Sequence, residues 1–312
     1  MHHFGHRTSK AQLGGSSELQ QVWQEHIPEE ASKHSFLMHG VLALAAIHIA
    51  CSEPTQVTDY VSLCDKHQAS ALASYRRILT HITDEVVDAL FAMATILPIL
   101  SVARANLRAS QMKSRNYISV GNISELLYLS KGVKEVKEIT GELIGRGRLS
   151  TLLSSYEFSS NTLATMPPEI LSVFRDLEDL VCNHCVEADQ CKSCLEAITH
   201  LQTVFENVVA NYASGSLEMG HIWRWTAMLS GEFIEMVQAE YPPALVITAH
   251  FTVAVTMLQD MWYISTWGPM AFDGIRIALR GQLEGYLKWP AQQIASGGAG
   301  LRCVAAQIKN IV

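Results

Sequence analysis

The run SFLMHGVLALAAIHIA, residues 35–50, carries no formally charged side chain. A helix this apolar on every side is hidden either in a bilayer or at the centre of a large fold. Crossing a bilayer takes about 20 consecutive apolar residues. This run is shorter, and Glu29, Glu30 and Lys33 before it and Glu53 and Pro54 after it close it at both ends. The stretches AMATILPILSVA and ALVITAHFTVAV are shorter still. The reading is a buried central helix and no membrane span. The opening residues, MHHFGHRTSKAQLGG, show no continuous apolar stretch of the kind a secretory signal needs. A soluble, intracellular protein is expected.

A chain of 312 residues, 48% apolar and 17% charged, can bury a sizeable core, and disorder is not expected over most of it. Its 23 basic and 30 acidic residues leave a net charge of -7, with no run of Lys and Arg. Binding nucleic acid through phosphate neutralisation needs a basic face. Direct DNA binding is therefore not expected from this chain.

Helical periodicity dominates. Pro28, followed by Glu29 and Glu30, suits a helix start, and that helix is expected to run through 35–50 and stop near Pro54. A second spans Thr58 to His81. A third starts at Thr83-Asp84-Glu85, a capping pattern, and passes Pro98, where a kink is expected. Others fall over about 121–140, 167–185, 190–212, 217–240, 243–259 and 267–286. NLRASQMKSRNY and SSYEFSSNTLATMPP read as loops. Sustained strand alternation is absent, so the fold class is all-α, a single large helical bundle domain over residues 1–312. His39 and His48, nine positions apart in the opening run, are expected as core histidines with backbone partners.

CNHCVEADQCKSC places Cys182, Cys185, Cys191 and Cys194 in a C-x2-C-x5-C-x2-C pattern. Two such hooks can fold four thiolates around one structural zinc with no open coordination position. The five-residue spacer is shorter than in most zinc ribbons, and the alternative is that reduced cysteines pack at a helix–loop–helix corner. No other cofactor is expected. Asp84-Glu85-x-x-Asp88 could hold a magnesium ion, but capping explains every residue in it. The close glycines of GRGRL (145–149) follow no strand, so they do not build a phosphate cradle. No G-x-S-x-G, H-E-x-x-H or Walker loop occurs.

Trp223 and Trp225 lie in one segment and Trp262, Tyr263 and Trp267 in another, with His250 and Asp260 as nearby polar groups. Aromatics grouped with a few polar residues line apolar pockets, although core filling is the commoner role for them.

In order along the chain, Met1-His2-His3-Phe4, VWQEHIPEEASKHSFLMHGVLALAAIHIA, SKGVKEVKEITGELIGRGRLSTLL, YPPALVITAHFTVAVTMLQDMWYISTWG and LKWP resemble the regulatory domain of fungal zinc binuclear-cluster transcription factors, in the branch of the sterol uptake control proteins. The resemblance implies an all-helical domain with an apolar ligand pocket, which senses a sterol, another lipid or a metabolite and governs transcription in the nucleus. Trp223, Trp225, His250, Phe251, Trp262 and Trp267 are the ligand-binding candidates. It also implies partners: other transcription factors, or a second copy of the chain. Family members carry a basic six-cysteine, two-zinc module for DNA, and CNHCVEADQCKSC has too few cysteines, other spacing and an acidic interior. The alternative reading is a cytoplasmic enzyme recruited from this fold, a cyclase, hydrolase or isomerase acting on an apolar secondary-metabolite intermediate. In it His250, Asp260 and Tyr263 would serve as acid–base residues.

Overall fold

The computed structural model describes residues 1–11, 16–111, 116–145, 147–154 and 166–309, and among these the secondary structure is helical, with no strand. The helices are α1 (His2–His6), α2 (Ser17–Gln21), α3 (Ile27–Lys33), α4 (Ser35–Ser52), α5 (Val57–Ile78), α6 (Val87–Gln111), α7 (Val120–Ile144), α8 (Ser150–Ser154), α9 (Pro168–His184), α10 (Ala188–Ser214), α11 (Met219–Met228), α12 (Gly231–Gln238), α13 (Pro242–Thr256), α14 (Trp267–Leu279), α15 (Glu284–Ala295) and α16 (Ala299–Lys309). The all-α expectation holds.

Proline at the first turn starts α3, α9 and α13, where its missing N–H leaves no bond unmade. Ser119 and Ser230 accept from the backbone N–H of Asn122 (3.3 Å) and Phe233 (3.1 Å), capping α7 and α12. The helix expected from Pro28 through residue 50 breaks in two at His34, whose backbone is extended. That expected over 217–240 breaks at Leu229, because Ser230 opens a fresh cap. That expected over 267–286 ends at Leu279, where Arg280, Gly281 and Leu283 all take left-handed backbone angles.

Two helices form the centre. In α4 the run from Val41 to Ala50 is buried but for Leu42 and Ile49, and α13 is buried from Pro243 to Thr256. A helix apolar all round has to be enclosed by others, and α5 and α6 flank α4 while α14, α15 and α10 surround α13. The hydroxyls inside α13 are satisfied within the helix: Thr248 donates to the Ala244 carbonyl (2.8 Å), Thr252 to Ala249 (2.7 Å) and Thr256 to Thr252 (3.0 Å). Among the described residues, buried apolar side chains from Phe4 to Ala305 form one cluster.

The helix expected from Thr83 runs longer than its sequence suggests. The helical stretch Asp84–Gln111 is long and apolar enough to cross a membrane, as is Ser35–Ser52. The sequence reading ended the former too early, because NLRASQ continues the helix rather than opening a loop. In the fold 89% of the apolar window in the longer stretch and 61% in the shorter are buried inside the bundle.

The amino end is part of this packing. Phe4 is fully buried. His48 makes side-chain rather than backbone contacts: its Nδ1 lies 2.9 Å from Thr8 Oγ1 and 3.3 Å from His3 Nε2. His39, half-buried, pairs through Nδ1 with Nδ1 of His67 at 2.8 Å, so one ring donates and the other accepts.

Candidate functional site

Four of the six aromatic and histidine candidates converge around Phe251 of α13. Trp225 stacks on Phe251 with centroids 4.4 Å apart, and its Nε1 donates to the Ala197 carbonyl at 2.9 Å. Trp223 meets Phe251 at 5.9 Å and Trp267 edge-on at 6.0 Å. All four rings are buried. The cavity beside them, bounded by Pro98, Val102, Met219, Trp223 and Tyr263, has a volume of only about 10 Å³. That is room for a single water, whereas ligand pockets run to about 300–1,000 Å³. In this conformation these rings fill core. Trp262 is elsewhere: its ring lies 4.5 Å from that of His48, and its buried Nε1 has no hydrogen-bond partner.

His250 stands apart from the four rings. Its Nδ1 lies 2.8 Å from the Val246 carbonyl, and since a carbonyl can only accept, Nδ1 carries the proton and Nε2 is left as acceptor. The ring lies parallel to Trp289 at 5.8 Å. Burial pushes its pKa down to about 4, so it is neutral near pH 7. It borders a groove of about 370 Å³ with Asp176, Tyr286, Lys288, Trp289 and Gln292. An acid–base set needs its members within hydrogen-bond reach of a common point. Here His250 faces this α9–α15 groove, the Tyr263 hydroxyl lies against the sulfurs of Met219 (2.7 Å) and Met261 (3.3 Å), and Asp260 is exposed.

A second groove, about 440 Å³, opens between α5, α6 and α7. Its walls are Leu72, Leu79, Ile82, Leu97, Val136 and Ile139, with Tyr75, Arg76, Tyr128 and Glu135 as its polar groups. Gly132 forms part of the floor, and a Cβ added there would meet nothing within 4 Å. Ile139 is 67% exposed and Tyr128 40%, so apolar surface continues out of the groove. Sequence reasoning passed over this site. Its signal was the surplus of apolar positions on α7, which extend round the helix beyond the face that packs on α6.

The four cysteines flank the α9–α10 corner. Cys182 is exposed in the last turn of α9, Cys185 follows that helix, Cys191 lies in the first turn of α10, and Cys194 is buried. Beside this corner the Tyr241 hydroxyl donates to the His184 carbonyl at 3.2 Å. Burial and the neighbouring thiols push the Cys191 and Cys194 thiols up. As the side chains stand, no three His, Cys, Asp or Glu among the described residues are set to hold a metal ion. In the acidic cluster, Asp84 and Glu85 are exposed, while burial and Glu30 raise the half-buried Asp88 carboxyl. Arg148 of the GRGRL segment pairs with Glu29.

The fold and its grooves define an all-α bundle with room for small molecules between its helices. Its homologues are fungal transcription factors of the Zn(2)-C6 type and sterol uptake control proteins. The chain is 24% identical over 274 residues to a Zn(2)-C6 fungal-type transcription factor of Gibberella zeae, covering 85% of this chain and 54% of that protein. It is 38% identical over 86 residues to Sterol uptake control protein 2 of Saccharomyces cerevisiae, covering 28% of this chain and 9% of that one. With the Zn(2)-C6 fungal-type transcription factor afumD of Aspergillus fumigatus it shares 27% over 148 residues, 46% of this chain and 37% of the relative. No family model matches. The chain thus spans about half the length of the first of these relatives and less of the others.

Proposed function

We propose that residues 1–312 act as one regulatory domain of a fungal transcription regulator, working in the nucleus and answering to a small apolar molecule, a sterol or a metabolite. The relatives support the regulatory part of this reading, and the sterol uptake control proteins among them support an apolar effector. The observation that carries the ligand is the α5–α6–α7 groove. It has a ligand-sized volume, aliphatic walls and few polar groups at its rim, which is how sites for largely apolar molecules are built. Arg76, Glu135 and Tyr128 offer hydrogen bonds to a single hydroxyl or carbonyl on an otherwise apolar body. Effector binding there would bias the packing of α5 against α7, and through it the surface offered to a protein partner.

The test is a thermal-shift titration of the purified chain with a sterol panel and a lipid-extract panel, beside the Gly132→Phe variant, whose ring would occupy the groove floor. Binding only to the folded state raises Tm with ligand concentration. The reading expects such a rise in the parent and its loss in the variant. A ligand that stabilises both proteins equally would place the site elsewhere, and no response to any lipid would remove the sensing role. A reporter assay with the chain fused to a separate DNA-binding module tests the regulatory part independently.

A further inference from the structure

We propose that the groove between α9, α13 and α15 is a second small-molecule site, which takes an uncharged hydroxyaromatic compound of the phenol class whose hydroxyl donates to Nε2 of His250. Three helices supply its walls. Val173 and Leu177 of α9 are buried, Trp289 of α15 is half-buried, and His250 of α13 is 3% exposed. The space between them, about 370 Å³, is of the size that small ligands occupy.

His250 sets the polarity of the occupant. Buried polar groups are ordinarily hydrogen-bonded, and Nδ1 is, donating to the Val246 carbonyl of its own helix at 2.8 Å. Nε2, on the opposite edge of the ring, is then an acceptor, and no group among the described residues donates to it. An acceptor left unmade in a buried ring costs free energy that a donor brought by a ligand recovers. With its one N–H already committed, the ring has nothing to give a carboxylate or a phosphate. Burial also keeps it neutral near pH 7, so it attracts no anion by charge. At the rim the exposed Asp176 and Lys288 are of opposite sign, and neither sign prevails. A neutral donor is the match.

The rings set the shape. The planes of His250 and Trp289 differ by only 7°, with centroids 5.8 Å apart. A flat ring aligned with one is therefore aligned with the other, in the offset arrangement that aromatic pairs favour. The α5–α6–α7 groove has aliphatic walls instead. The two sites select different chemistry, and this one stands whether or not the other holds an effector.

The experiment is equilibrium dialysis of the purified full chain, near neutral pH, against three matched probes: 2-naphthol, naphthalene, which lacks the donor, and 2-naphthoate, which carries a charge. The proposal expects one equivalent of 2-naphthol to bind, and the other two to bind about tenfold more weakly or worse. Gly285 borders the groove in the first turn of α15, with open space where its Cβ would go. Gly285→Phe should therefore abolish binding with an unchanged far-ultraviolet circular dichroism spectrum. Gly132→Phe, in the other groove, should leave it unaltered. His250→Phe keeps a flat ring but removes the acceptor, and should lower the affinity for 2-naphthol to that for naphthalene. Failure of 2-naphthol to bind the parent overturns the proposal. So does naphthalene binding as tightly as 2-naphthol, or 2-naphthol binding that persists in Gly285→Phe.

Discussion

The Asn106 side chain accepts a hydrogen bond from Thr266 Oγ1 at 2.9 Å, joining the end of α6 to the turn that precedes α14. Its amide nitrogen donates to the Ile264 carbonyl at 3.1 Å and to Ser265 Oγ at 2.9 Å. One buried amide thus fixes three consecutive residues of a turn in which Ser265 has a positive φ.

Replacing Asn106 with Ala removes its bonds to the Ile264 carbonyl, which keeps the Trp267 N–H at 2.6 Å, to Ser265 Oγ, and to the exposed Thr266 hydroxyl. The expected loss is about 1–2 kcal/mol, read as a lower urea midpoint. Asn106→Asp should also destabilise, because a carboxylate cannot donate to the carbonyl. A midpoint unchanged in both variants would show that the turn holds itself.

Among the described glycines, Gly274 makes the tightest approach. A Cβ built there would lie 1.7 Å from the Ile118 carbonyl oxygen, where the chain is tied to α14 by the Ile118 N–H donating to Met270 at 2.9 Å. Backbone cannot swing aside as a side chain can. Gly274→Ala should cost about 3 kcal/mol or more, or give insoluble protein, while Gly285→Ala, with open space around it, should fold normally. Equal stability of the two variants would contradict the contact.

Gly132 sits inside α7 with nothing near its missing Cβ. Gly132→Ala should stabilise the fold by about 0.5–1 kcal/mol, through helix propensity and a less flexible unfolded chain. Thermal unfolding checks the sign. A lower Tm would mean that the groove floor is in tight contact after all.

His48 and His250 both have pKa values pushed down to about 4 by burial, from an ordinary value of 6.5. Between these limits the unfolded chain binds protons that the folded chain does not, so stability rises with pH through the window and is lost as pH falls from about 6.5 toward 4. From pH 7 to pH 5 the expected loss is on the order of 1–2 kcal/mol for each histidine. Urea unfolding at the two pH values measures it. His250→Gln should flatten the dependence, at some expense in overall stability, and an undiminished slope would assign the effect to other groups.

The helices were largely legible because the amphipathic ones carry their period locally: α9 buries Ile170, Val173, Phe174, Leu177, Leu180 and Val181, a single stripe. The interruptions were less so. Ser230 marks a cap and Gly281 a left-handed stop, but both lie inside apolar stretches that still read as continuous. Asn106 belongs to a polar stretch that reads as loop, yet it is helical because the turn it grips lies 160 positions away. The grouping of Trp223, Trp225 and Trp267 was visible. The departure of Trp262 to His48 was not, since nothing near residue 262 reveals where α4 passes. Grooves are harder still, because they depend on which faces of distant helices fail to meet.

Phe4 lies wholly inside the bundle, and His3 and Thr8 hold the ring of His48 from the same short segment. Those first eleven residues therefore act as a plug. Trimming them to tidy an expression clone would uncover the His48 ring and the part of α4 they pack on, and any screen run on the shortened product would report molecules that merely replace the missing segment.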